Sequence, residues 1–385
     1  MDRKLRMGMI GGGKGAFIGA VHRIAANMDG LIDLHCGAFS SDAARSKLSG
    51  SELMLPEEKA YGSFEEMIMT EKGLPASERM DFVSIVTPNN AHFEPAMMAL
   101  QNGFHVMIEK PITFNLQQAK QLKAEVERTG LLLGLTHTYA GYPLVKQAKQ
   151  MVAAGKLGSI RKIMVTYTQG WLSQAAEKEG NAQASWRTDP ARSGAAGCMG
   201  DIGTHAAHLA EYISGLKIIA LCAQLNTVVP GRQLDDDGTV LLRFEENASG
   251  VLIASQIAAG EENNLSINIY GEKGGLEWRQ QEPNTLIIKW TDKPAEILRT
   301  GSGYLSSYAQ YNTRTPGGHP EGYLEAFANI YRSFAHCLRA RLNGEELPEE
   351  AKDFPGVEEG VRGMAFIENV VASAASSAKW NPFNV

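Results

Sequence analysis

Two clusters of residues have the types and spacing for proton chemistry. The first is Glu109-Lys110-Pro111, which closes the apolar run His105-Val-Met-Ile. That run reads as a buried strand, and Pro111 cannot extend a ladder, so the charged pair falls at the strand's C-terminal end. In an open parallel α/β sheet this is the edge where ligands bind. Lysine is costly to bury and changes protonation state readily, which makes Lys110 a candidate for proton handling. The plainer alternative is a solvated lysine at a strand end.

The second cluster is Gly200-Asp201-Ile202-Gly203-Thr204-His205. Asp201 and His205 are spaced i,i+4, so on a helix they share a face, and the aspartate can fix the tautomer of a general-base histidine. The alternative is a helix-start aspartate beside a buried, hydrogen-bonded histidine. Cys198 and His208 add ligand types at metal-compatible spacing. A zinc dehydrogenase would normally activate its alcohol without a strand-end lysine, so no metal is expected and His208 reads as a pocket or packing residue.

The elements that must position these groups begin at the chain start. A short strand over residues 7–10 runs into Gly11-Gly12-Gly13-Lys14-Gly15-Ala16-Phe17-Ile18-Gly19, then a helix to about 28. Strand, glycine turn and helix form the layout of a dinucleotide-binding loop, where glycines admit a pyrophosphate to the helix N-terminus. Ala16 stands where the helix-packing glycine is usual, so Gly19 takes that role in a loop three residues longer. After the second strand, 32–39, Ser40 occupies the place of a ribose-binding acid. Asp42 could still reach the ribose, or it simply caps the next helix, and NAD versus NADP stays open. Further βα units follow, with strands at 82–86, 105–109 and 131–137. They predict a parallel, doubly wound sheet whose C-terminal edge carries Thr87, Asn89 and Lys110 beside the glycine loop.

Beyond residue 137 come a helix at 143–154, a strand at 160–169 and a long polar loop at 170–197. Short strands from 218 to 290 predict an antiparallel meander. Its apolar face, including Leu241, Val251 and Ile253, exceeds what one helix layer covers, which predicts a homo-oligomer through the sheet. A loop at 299–321 and helices at 321–342 and 357–377 complete the chain. Tyr139 and His319 are candidate substrate contacts, with helix capping the alternative for His319.

The bulk composition agrees. A chain of 385 residues with 44% hydrophobic and 21% charged residues suits two globular domains. We divide it at residue 137: a dinucleotide-binding domain over 1–137 and a substrate and oligomerisation domain over 138–385. A net charge of −6 gives no reason to expect nucleic acid or an anionic membrane, and no apolar run approaches a bilayer span. Residues 1–6 form a basic stub without an apolar signal core, and the four scattered cysteines fit reduced thiols, so a cytoplasmic setting is expected.

Thr87-Pro88-Asn89-Asn90-Ala91-His92, then Gly103-Phe-His-Val-Met-Ile-Glu-Lys-Pro111, after an N-terminal glycine loop, resembles the glucose-fructose oxidoreductase / inositol dehydrogenase / rhizopine-catabolism (Gfo/Idh/MocA) family. Trp186-Arg187 and Gly200–His205 match its second signature. The resemblance implies a Rossmann domain followed by an α+β domain with a large, open, mostly antiparallel sheet. It implies Lys110, Asp201 and His205 as the catalytic group, and Thr87, Pro88, Asn89, His92, Glu109 and Arg187 at or near the cofactor. Lys110, Arg187, Asp201 and His205 would also meet the substrate. His208 stands where many members have an acid that helps hold a polyol. The expected reaction is hydride transfer between NAD or NADP and a secondary alcohol of a sugar, glycoside or cyclitol. Two other readings are glycoside cleavage through transient oxidation and elimination, and a non-catalytic nucleotide sensor.

Overall fold

A computed structural model describes residues 3–385; Met1 and Asp2, the start of the basic stub, lie outside the described residues. The chain forms two compact units. The first comprises the chain to Thr138 together with Phe327–Val361, and the second comprises Tyr139–Ala326 and Arg362–Val385. An uninterrupted second domain over 138–385 did not anticipate this return. The apolar periodicity of a late helix shows that it packs, without showing on what.

The first unit holds β1 (Leu5–Gly11), α1 (Phe17–Asn27), β2 (Ile32–Ala38), α2 (Ala43–Glu52), α3 (Phe64–Gly73), β3 (Phe82–Val86), α4 (Phe93–Gln101), β4 (His105–Ile108), α5 (Leu116–Thr129) and β5 (Leu133–Leu135). The strands form one parallel sheet in the order β2-β1-β3-β4-β5. β3 and β4 are buried at every position, as strands covered on both faces must be. Strand order reverses beside β1, where β2 lies on one side and β3 on the other. The crevice between the C-terminal ends of β1 and β3 is therefore the switch point at which such sheets bind ligands.

In the second unit α6 (Pro143–Ala153) leads to β6 (Ile160–Thr168). Residues 170–197, expected as irregular loop, contain the short helices α7 (Ala182–Arg187) and α8 (Pro190–Ser193). The segment is pinned by Arg232, whose guanidinium donates to Glu177, Asp236 and the Gln174 carbonyl. α9 (Thr204–Ser214) follows, then β7 (Ile218–Asn226), β8 (Asp237–Phe244), β9 (Ser249–Ser255), β10 (Asn264–Gly271), β11 (Gly274–Arg279), β12 (Thr285–Trp290) and β13 (Glu296–Arg299). α10 (Ser307–Tyr311) sits inside the expected loop, α11 (Tyr323–Asn343) and α12 (Val357–Ala374) are each shared with the first unit, and β14 (Asn381–Pro382) ends the series.

The nine strands run β13-β12-β11-β10-β6-β9-β8-β7-β14. Pairing is antiparallel except between β6 and β9, so β6 splits the expected meander in two. Alternation along β8 buries Val240 and Leu242 and exposes Leu241. Across the sheet Leu241 pairs with Val251 and Val251 with Met164, an apolar row on the open face.

Candidate active site

Four glycines of the loop in the first unit, Gly11, Gly12, Gly13 and Gly19, have almost no room for a side chain. Gly11 and Gly12 have φ of 81° and 71°, a region that L side chains rarely adopt. A Cβ on Gly13 would lie 2.8 Å from the Phe39 carbonyl oxygen and from Ser49 Oγ. One on Gly19 would lie 2.4 Å from Gly12 Cα, so Gly19 is the residue that lets α1 close on the turn. α1 itself starts without a side-chain cap, whereas α2, α3 and α5 are capped by Asp42, Ser63 and Asn115. Its first N–H groups are left for an outside acceptor.

At the end of β2 the Asp42 carboxylate accepts from Arg45 N at 2.8 Å, and Ser40 Oγ accepts from Asp42 N at 3.2 Å. The helix-cap reading of Asp42 therefore holds. After β3, Thr87 Oγ1 donates to the Ala91 carbonyl, while Pro88 and the buried Asn89 shape the turn. His92 is fully buried, with its ring nitrogens 2.8 Å from the carbonyls of Pro111 and Thr87. Burial lowers its pKa against the pull of both carbonyls. It braces the two turns from behind and presents no surface to a ligand.

Lys110 is half-buried at the C-terminal end of β4, as its sequence position requires. Glu109 is buried. Its carboxylate takes His22 Nε2 at 2.9 Å, Thr136 Oγ1 at 2.6 Å and the Lys110 amide at 3.2 Å. Burial alone would raise its pKa, but the His22 hydrogen bond, with Lys110 and Thr136, holds it below the ordinary glutamate value. Through the Lys110 amide the carboxylate also supports the lysine's backbone.

In the second unit Asp201 lies in a π-helical turn, Met199–Gly203, that runs into α9, with His205 in the first turn of α9. Such turns recur at functional sites because they re-aim side chains within a helix. The entrance is anchored by Asp235, which accepts from Gly197 N at 2.6 Å and Met199 N at 2.8 Å. Burial raises the Asp235 pKa in spite of these donors. Asp201 Oδ2 accepts from Arg187 Nε at 3.1 Å and from Gln256 Nε2 at 2.9 Å. The Arg187 guanidinium also stacks on the Trp186 ring at 4.2 Å.

The His205 ring meets Tyr139 edge-on, with centroids 4.8 Å apart. Tyr139 and Tyr167 share a hydroxyl hydrogen bond, Tyr167 donates to Asn263 Oδ1 at 2.7 Å, and Asn263 donates back to Tyr139 at 3.2 Å. Gln169 adds a bond to Asn263 at 2.6 Å, and Trp171 Nε1 donates to Gln169 at 2.9 Å. His319 is exposed, with Nδ1 3.3 Å from the Pro316 carbonyl. It does not cap α11, which begins four residues later. His208 stacks on Tyr212, and Cys198 Sγ faces the Ala254 carbonyl. Among the described residues no three His, Cys, Asp or Glu side chains converge on one point.

Residues 5–137 match the family described as "Oxidoreductase family, NAD-binding Rossmann fold", and residues 145–277 match the GFO/IDH/MocA C-terminal domain. The chain is 33% identical to the uncharacterized oxidoreductase YfiI of Bacillus subtilis, over 100% of this chain and 98% of the relative. The chain belongs to the Gfo/Idh/MocA oxidoreductase family. A solved inositol dehydrogenase homolog from Azotobacter vinelandii, complexed with NADH and myo-inositol, superposes with a TM-score of 0.91 at 31% identity, covering 100% of this chain and 98% of that one. Levoglucosan dehydrogenase of Pseudarthrobacter phenanthrenivorans is 25% identical over 76% of this chain and 78% of its own length.

As a member of this family the chain is an NAD(P)-dependent oxidoreductase, and its glycine loop fits the nucleotide. A Cβ at Gly11, Gly12, Gly13 or Gly19 would meet protein atoms at 3.0 Å or less, so these glycines let the turn pack tightly beside the uncapped start of α1, the layout in which such loops receive a pyrophosphate. Sequence reasoning missed Tyr167, Gln169, Gln256 and Asn263. Each is one polar residue at or beside a strand end, and only the pairing of β6 with β9 and β10 gathers them.

Proposed function

We propose that the protein oxidises a secondary alcohol of a sugar, glycoside or cyclitol, with Lys110, Asp201 and His205 handling the hydroxyl proton. The observation that carries this reading is the polar network that reaches His205 through Tyr139 and Tyr167. Tyr139, Tyr167, Gln169, Gln256 and Asn263 offer hydroxyl and amide groups in a connected network, which suits a ligand surfaced with hydroxyls. The myo-inositol bound by the A. vinelandii homolog is such a molecule.

Bound nicotinamide would accept the hydride from the carbinol carbon. One ring nitrogen of His205 takes the hydroxyl proton, and Asp201, kept in place by Arg187 and Gln256, favours the imidazolium that results. Lys110 donates a hydrogen bond to the same oxygen and stabilises the developing alkoxide. In the reductive direction the same groups return the proton. Gly11, Gly12, Gly13, Gly19, Ser40, Thr87, Pro88 and Asn89 would meet the nucleotide, while His92 and Glu109 act from behind them. Arg187 serves through Asp201, and Tyr139 and His319 remain proposed substrate neighbours.

The open face of the sheet supports a homodimer or homotetramer, and the four cysteines, all free thiols, suit a cytoplasmic protein. The deciding experiment is a spectrophotometric screen of inositols, sugars and glycosides with NAD and with NADP. Alcohol-dependent formation of reduced nucleotide, lost about 10²-fold or more in Lys110→Ala, is expected. Cleavage of a nitrophenyl glycoside without added nucleotide, or no polyol-dependent reduction by protein that binds NADH, would overturn the reading.

A further inference from the structure

Glu109 is the end of a buried hydrogen-bond chain that the proposed reaction does not use. An ionised carboxylate only accepts, so His22 Nε2 is the donor to Glu109 Oε1. The network thus assigns the tautomer. In neutral His22, Nδ1 accepts from the Tyr331 hydroxyl at 2.6 Å, and that hydroxyl in turn accepts from Ser84 Oγ at 2.8 Å. Thr136 Oγ1 donates to the same Glu109 oxygen. His22 and Ser84 are fully buried and Tyr331 nearly so. Every proton in the chain points toward Glu109, and the chain stops at the residue that precedes Lys110.

The participants come from α1, β3, the ends of β4 and β5, and the part of α11 that belongs to the first unit. A buried polar chain of this kind is costly when incomplete and rigid when complete. The rings of Phe327 and Tyr331 meet His22 edge-on at 4.8 and 5.7 Å, which fixes the imidazole plane. Lys110 and His92 are the other titratable groups whose charge reaches Glu109.

We propose that His22 and Tyr331 are positioning residues for Lys110, holding the Glu109 carboxylate immobile behind it so that the lysine keeps a fixed backbone and an anionic neighbour. The proposal rests on Lys110 as a catalytic group, and its test is kept separate from that reading.

The full chain and the variants His22→Ala, His22→Gln and Tyr331→Phe are compared, with Glu109→Gln as the spectroscopic reference. The readings are infrared difference spectra of protonated carboxyl groups and the acetylation rate of Lys110 by peptide mass spectrometry. NADH titration by fluorescence reports whether the nucleotide fold is retained. At neutral pH the wild-type chain shows no protonated Glu109. His22→Ala acquires that band, and Lys110 acetylates about tenfold faster because the carboxylate that accepts its amide no longer fixes its backbone. His22→Gln, whose amide donates to the carboxylate, returns both readings toward wild type.

An unchanged spectrum and acetylation rate in His22→Ala with NADH still bound overturns the proposal. Should that variant not fold, Tyr331→Phe decides, since it removes one hydroxyl and keeps the ring. There Glu109 protonates at higher pH than in the wild type, and an unchanged titration overturns the idea. Turnover of Lys110→Ala tests the catalytic reading alone, and both spectroscopic outcomes stand whatever that variant does.

Discussion

Arg187 Nε lies 3.1 Å from Asp201 Oδ2 while the guanidinium stacks on Trp186 at 4.2 Å. The pair is mostly shielded, with the two side chains 24% and 17% exposed, so screening leaves much of the charge-assisted bond in place. Arg187→Ala removes a donor that aims Asp201. Turnover should fall by about 10- to 100-fold, in line with the roughly 1.5–3 kcal/mol of a hydrogen bond to a charged group. Arg187→Lys should restore little, because an ammonium neither stacks as a plane nor keeps the Nε geometry. Steady-state kinetics on the alcohol found in the substrate screen checks both, and NADH affinity close to wild type separates this effect from loss of the cofactor site.

Gly19 offers a sharper steric test. Its Cβ would meet Gly12 Cα and the Gly12 carbonyl oxygen at 2.4 Å, and neither backbone atom can swing away. Gly19→Ala must push α1 off the loop, at about 1–3 kcal/mol of overpacking, and NADH binding should weaken by about tenfold or more. Gly73→Ala is the control: nothing lies within 4 Å of that Cβ. Fluorescence titration with NADH and thermal unfolding of the two variants read the difference.

Much of this was legible because its signals are local. The glycine loop and Glu109-Lys110-Pro111 each lie within one short stretch, and turn and strand chemistry place them without reference to the rest of the chain, whereas the i,i+4 spacing of Asp201 and His205 did not announce the π-helical turn that holds Asp201. What escaped is long-range. His22 meets Tyr331 across 309 residues, and Gln256 meets Asp201 across 55. A polar residue on a strand has no pattern announcing which partner strand will bring its neighbours, and β6 pairing parallel to β9 breaks the rule that successive short strands pair in order. The inward turn of Glu109 was equally hidden, because a charged pair at a strand end does not say which of its two side chains faces the solvent.

The apolar row on the open sheet face carries a prediction about assembly. Leu241 is 42% exposed and aligned with Val251 and Met164, itself 42% exposed, in strands whose other faces are packed. A contiguous apolar patch of this kind marks an interface more often than bare surface. Sedimentation velocity should show the wild-type chain as a dimer or larger, and Leu241→Asp should shift it to the monomer by placing a carboxylate in the row. A wild-type monomer at micromolar concentration would refute the assignment.

His105, at the head of the strand that delivers Lys110, sets a pH window for stability. Burial, reinforced by the charge of Arg341 and opposed by Asp81, depresses its pKa to about 4. Its Nδ1 accepts the Leu132 amide at 2.9 Å, which requires the neutral ring. An unfolded histidine titrates near 6.5, so between these values the unfolded chain binds a proton that the folded chain refuses. The stabilisation is fully present above about pH 6.5 and is lost as pH falls through the folded value, about 3 kcal/mol in all and about 2 kcal/mol by pH 5. His105→Gln keeps an acceptor for Leu132 and removes the titration, so its stability should vary less over this window than that of the wild type. Glu109 acts in a separate window. Its lowered pKa gives stability above the ordinary glutamate value of about 4.3 that is lost only at more acid pH. Urea denaturation at a series of pH values should therefore show Glu109→Gln retaining the wild-type slope between about pH 6.5 and 5 and His105→Gln losing it. The same slope in wild type and His105→Gln would place the source of acid sensitivity elsewhere.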